Sequence, residues 1–186
     1  MALNQLLTLL LPEIVLTVVA LVIFGLDLVW RGDEVRGRWL PWVTFLGVLL
    51  TLAVTIVVWP LAGAGGQPLA LTTGQSFGGD NTPMLALDGT ALFFKLFTLL
   101  VLAIVGLSAG EYVKTHTPFR GEFYALLLLA GLAIMLASAA TNLVMIYLSI
   151  EFLSITSYIL TGYLRDDPRS VEALSLIHIS EPTRPY

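Results

Sequence analysis

The run Asn142-Leu-Val-Met-Ile-Tyr-Leu-Ser-Ile-Glu-Phe-Leu-Ser-Ile-Thr-Ser-Tyr-Ile-Leu-Thr-Gly-Tyr-Leu164 decides the fold. It is apolar enough, and long enough as a helix, to cross a bilayer. Its one acidic residue, Glu151, lies ~13 Å along the axis from Asn142 at ~1.5 Å rise per residue, close to the middle of a ~30 Å hydrocarbon layer. A carboxyl group there costs a few kcal/mol even after snorkelling and local water entry. At about 100° per residue, Tyr147, Glu151, Ser154, Tyr158 and Thr161 fall within about 80° of one another, so one face of this helix is a polar stripe. One reading is a proton-handling site in which Glu151 exchanges a proton along hydroxyls and trapped water. The other is a permanently protonated Glu that hydrogen-bonds between helices. The first is the expectation carried forward.

The composition outside this run points the same way. Of 186 residues, 57% are hydrophobic and 12% charged, against about 25% charged in soluble domains. The chain is expected to be an all-α integral membrane protein. Its five spans are Leu6–Val29, Leu40–Leu61, Ala91–Ala109, Phe123–Ala140 and Leu143–Leu164, with no soluble domain left over. The alternation of barrel strands is absent, and only helices or closed barrels satisfy their own backbone in lipid. The first span has no basic n-region and ends in Asp27-Leu-Val-Trp30, not in a cleavage site. Net charge is −4 with no basic cluster, which gives no case for a nucleic-acid partner. There are no cysteines, and His116 and His178 lie outside the spans. Cysteine-ligated clusters are excluded and no haem or metal centre is expected, so any linked redox chemistry belongs to other chains.

Cations set the orientation. Arg31, Arg36 and Arg38 follow the first span, Lys114 and Arg120 the third, and Arg165 and Arg169 the fifth. The connections at 62–90 and at Thr141-Asn142 hold none. The amino terminus is therefore expected outside and the loop at 30–39 in the cytoplasm. Trp30, Trp39 and Trp42 would mark the inner boundary and Trp59 the outer. The 62–90 loop, with Gly78-Gly-Asp-Asn-Thr-Pro83, suits either a small β-hairpin or a disordered cap. Ala137-Ser-Ala-Ala140 would let the fourth and fifth helices pack closely.

Four other polar residues need placing. Glu13 and Asp27 share a face of the first span near its two ends, where local water is expected to solvate them. Pro12 is expected in the first turn or so, where proline is tolerated. Lys95 is expected to snorkel to the outer interface, the alternative being an inward-facing partner in a charge relay. Asp88 suits a helix start. No nucleophile–base set, phosphate loop or metal-ligand cluster is present.

Several of these pieces occur together in one family. Leu11-Pro-Glu13, Leu26-Asp27, Leu87-Asp-Gly-Thr-Ala-Leu-Phe-Phe-Lys95, Glu111-Tyr112, the run Tyr147–Tyr163 and Asp167-Pro-Arg-Ser-Val-Glu-Ala173 stand in an order and spacing that resembles the amino-terminal part of the subunit N family of type I NADH:quinone oxidoreductase, complex I. The resemblance covers about residues 5–173. It implies an antiporter-like subunit of the membrane arm, without redox centres of its own, in a bacterial inner membrane. Its partners would be the other membrane-arm and peripheral subunits, which use quinone and NADH. The implied whole fold has about 14 helices with inverted repeats. The resemblance also implies that Glu151 works with a lysine on a later, broken helix. Subunits of multisubunit cation/proton antiporters and membrane-bound hydrogenases share this plan and are the alternative class. A purely structural membrane protein is a third. After Ala173 the chain departs from the family pattern, and residues 174–186 are similar to the translated read of a sequencing adapter. A truncated, artefactual terminus is expected there.

Overall fold

The computed structural model describes residues 2–29, 36–63, 69–71, 84–116 and 120–163. Expectations for Trp30, Arg31, Arg165, Arg169, His178 and the 174–186 tail lie outside those residues. Among the described residues the fold is all-α apart from one pair of short strands. Its helices are α1 (Ala2–Val29), α2 (Arg36–Gly63), α3 (Gly89–His116), α4 (Arg120–Ala139) and α5 (Leu143–Thr161). All five expected spans are present, and each of the five helices is long and apolar enough to cross a membrane. The outward faces confirm the class. Val18, Leu21, Leu46, Leu50, Phe93, Phe97 and Ile104 are exposed while threonines, two acids and a lysine are buried, the inverse of a soluble domain.

Helices α1 to α3 run past the apolar stretches that nucleate them, because once a helix is started each further residue adds a backbone bond. This corrects the placing of Pro12. Residues from Ala2 onward are already helical, so Pro12 sits well inside α1, where it removes the bond its N–H would make to the Thr8 carbonyl.

Helices α1 to α4 form a four-helix bundle. Going round it, α1 packs on α2, α2 on α3, α3 on α4 and α4 on α1, which sets α1 and α3 diagonally opposite. Helix α5 stands outside, against α4. The main core includes Leu16, Ala20, Ile23, Val48, Leu99, Leu102, Leu128 and Met135. Gly131 allows α4 to approach α3 closely, since any Cβ there would overlap the Leu102 side chain.

One end of the bundle carries a small cap. Strand β1 (Leu69–Leu71) pairs antiparallel with β2 (Leu85–Leu87) in the register Leu69 to Leu87, which is the first of the two readings left open for the 62–90 loop. Leu85 bridges to Ala140, and the Thr141 N–H donates to the Met84 carbonyl at 3.1 Å, tying the cap to the α4–α5 turn. Beneath it Val58, Leu85, Leu87, Ala91, Leu92 and Ala139 form a second cluster, joined by Leu10, Val54 and Met145. Both neighbouring helix starts are capped by the residue directly before them. Asp88 Oδ1 accepts from the Ala91 N–H at 2.7 Å, as its helix-starting role requires. Asn142 Oδ1 accepts from the Met145 N–H at 2.8 Å.

Candidate functional site

Two groups of polar residues, each with at least one charge, sit within the apolar helices. Helix α4 stands between them.

The first group is the stripe on α5. The helix holds Ser149 and Thr156 buried, Phe152 against the main core and Met145 against the second cluster. At about 100° per residue these four lie on the opposite side of the helix from Tyr147, Glu151, Ser154 and Tyr158. The stripe therefore points away from α4. Glu151 is exposed, and so are Tyr147 (66%) and Tyr158 (48%). The Ser154 hydroxyl donates to the Ile150 carbonyl of its own helix at 2.9 Å. The residues share one face, as their spacing requires, but among the described residues that face is a surface and not a closed channel.

The second group lies inside the bundle. Lys95 is fully buried, and its Nζ stands 2.6 Å from Glu13 Oε1. This corrects two expectations. Lys95 does not snorkel to the interface, and Glu13 is not left to water; each neutralises the other across the bundle diagonal. The inward-facing alternative for Lys95 is the one the fold adopts. The physical reason is their depth. Each lies about one helical turn below the capping cluster, Glu13 below Leu10 and Lys95 below Leu92, and one turn above Leu16 and Leu99 of the main core. At that depth an ion without a counter-ion costs several kcal/mol. The pair's angles are not those of a hydrogen bond, and neither Glu13 oxygen nor Lys95 Nζ has another hydrogen-bond partner among the described residues.

The same layer holds Thr51 and Thr55 of α2, between Val48 and Val58, with Thr98 one turn along α3 from Lys95. Thr51 and Thr55 donate to the Gly47 and Thr51 carbonyls of their own helix, so their buried hydroxyls are satisfied locally. Reading the sequence span by span missed this layer. The available signal was a pair of opposite charges, Glu13 and Lys95, in two strongly apolar helices, since intramembrane charges generally pair.

Asp27 is also buried, at the other end of α1. Its side chain lies against Gly121 in the first turn of α4, so closely that a Cβ on Gly121 would overlap it. The positive end of the α4 dipole favours an acid there. Water is thus not what accommodates Asp27 either.

This arrangement has relatives. No family model matches the chain. Curated proteins do. It is 32% identical over 166 residues to NADH-quinone oxidoreductase subunit N of Dehalococcoides mccartyi, covering 89% of this chain and 31% of that protein. It is 33% identical over 163 residues to NAD(P)H-quinone oxidoreductase subunit 2 of Synechocystis, covering 88% and 28%. Against the chloroplastic subunit 2 of Chlorokybus atmophyticus the identity is 34% over 164 residues, covering 88% and 29%. The chain belongs to the subunit N family of NADH-quinone oxidoreductase. It spans about 30% of the length of the curated relatives it matches.

Proposed function

We propose that this chain is part of a proton-translocating membrane-arm subunit of an NADH-quinone oxidoreductase, with Glu151 as the residue that takes up and releases the proton. The observation that carries the reading is the position of Glu151, halfway along α5 on a stripe opposite the packed face. A carboxyl group at mid-membrane depth, with two phenols and a hydroxyl beside it, suits proton exchange. The relatives' greater length supports a cover for the stripe from the rest of a full-length subunit. A lysine from that cover, as the family resemblance implies, would give Glu151 the cation it needs when ionised.

Electrons do not pass through this chain in the proposal. Quinone and NADH are handled by partner subunits, and the chain contributes the charge movement that their reaction drives. The alternating cation content of the connections supports placing the hairpin cap outside a bacterial inner membrane and the loop at 30–39 in the cytoplasm.

The test uses the full-length subunit in its assembled complex. Glu151→Gln keeps the shape and removes the titrating proton. It is expected to leave assembly intact and to abolish or sharply reduce pumping per quinone reduced. Normal pumping in that variant would sink the proton role and leave the hydrogen-bonded, structural reading of Glu151.

A further inference from the structure

Helix α5 makes its main contact with α4, yet the level at which it enters the bundle is set by more than α4. Met145, in its first turn, packs in the capping cluster with Leu10 of α1 and Leu92 of α3. Leu10 lies one turn from Glu13, and Leu92 one turn from Lys95, on the same faces. Ala139, at the end of α4, is in the same cluster. The α4–α5 turn is further held to β2 through Ala140 and Thr141, and β2 leads through Asp88 directly into α3. The turn thus rests on a floor made from β2, from Ala91 and Leu92 of α3 and from Val58 of α2, with Leu10 of α1 packed against it. Helices α1 and α3 stand on the bundle diagonal, and the Glu13–Lys95 ion pair joins them directly beneath that floor.

Apolar contacts alone fix this level poorly. Sliding one lipid-compatible helix past another exchanges Leu for Leu at little cost, because lipid tails are as apolar as the core. An ion pair behaves differently. Displacing Lys95 from Glu13 by one residue's rise leaves two buried charges apart in a layer where neither has another hydrogen-bond partner among the described residues. Among the described residues the pair is therefore the ionic feature of this layer that distinguishes one register of α1 and α3 from its neighbours.

We propose that Glu13 and Lys95 are a positioning pair for Glu151. They lock α1 against α3, and through Leu10, Leu92 and Met145 they set the depth of α5 and of the carboxyl group ~9 Å further along it, at ~1.5 Å per residue. The importance of that depth rests on Glu151 being the proton site; the positioning itself does not.

The experiment reads the two separately in the full-length subunit within its complex. A spin label at Leu148, exposed and one turn from Glu151, reports depth through relaxation by membrane-soluble oxygen against a water-soluble nickel chelate. Three variants are compared. Lys95→Arg keeps the cation, Lys95→Met leaves Glu13 alone, and Glu13→Leu with Lys95→Met removes both charges, so that no lone ion prevents folding. The label is expected to hold its depth in Lys95→Arg and to shift by about 1.5 Å or more, one residue's rise, in the double variant. The proton-to-electron ratio is expected to be kept in Lys95→Arg and lost in the double variant while quinone reduction continues. An unmoved label in the double variant overturns the positioning role, as does a label that moves equally with Arg. A normal ratio in the double variant, beside a lost ratio in Glu151→Gln, overturns the link to pumping. A normal ratio in Glu151→Gln overturns the proton site alone and leaves the depth result standing.

Discussion

Glu13 and Lys95 are worth most as a pair and cost most singly. Both are buried, and among the described residues each is the other's sole ionic contact. Removing one side chain strands the other charge at a cost of about 3–5 kcal/mol. Glu13→Leu or Lys95→Met is therefore expected to lower the recovery of folded subunit from membranes far more than the two together. Thermal unfolding in mild detergent would measure the order; a double variant as unstable as the singles contradicts it. Gly121→Ala is expected to be damaging for a different reason, because its methyl group would collide with the buried Asp27 side chain. At this scale the sequence was legible where the chemistry is local. Asp88 bonds to an N–H three residues on, and its role followed from its place before an apolar run. Lys95 and Glu13 meet across the bundle, and nothing near either residue announces the other.

Of the five helices, α5 has the fewest ties. Its packed face, with Ser149, Phe152 and Thr156, is spent on α4, and its start depends on the Asn142 cap. Asn142→Ala is expected to cost about 1 kcal/mol, the usual loss for an N-cap. Faster amide exchange confined to the first turn of α5, around Met145, would register it. All five helices were legible from length and apolarity, and the α5 stripe from its spacing. Which way the stripe faces was not. Outside a membrane helix is lipid, as apolar as the core, so a pattern such as that of α2 or α3 does not say which side packs. The signal lies in small and hydroxyl residues instead. Gly131 marks the α3–α4 contact, Ser149 and Thr156 the α4–α5 contact, and the column Thr44, Thr51 and Thr55 the inner face of α2.

For the whole molecule, the bundle and its appended helix form a two-sided object. A buried ion pair occupies its interior, and on its flank lies an exposed acid with no counter-ion among the described residues. The proposed transport role uses the difference, since a charge already balanced inside the bundle need not move while one awaiting a counter-ion can. The proposed orientation is testable with little background, because the chain contains no cysteine. A cysteine at Gln75 in the cation-free loop is expected to react with a membrane-impermeant maleimide added outside intact cells, and one at Gly37 only after the membrane is opened. The reverse pattern would invert the topology. The central claim, that Glu151 gains and loses a proton as the complex works, is most directly tested by infrared difference spectroscopy of the full-length complex during quinone reduction. A carboxylic acid C=O band that changes with turnover and disappears in Glu151→Gln is the predicted result; a spectrum identical in wild type and Glu151→Gln would contradict it.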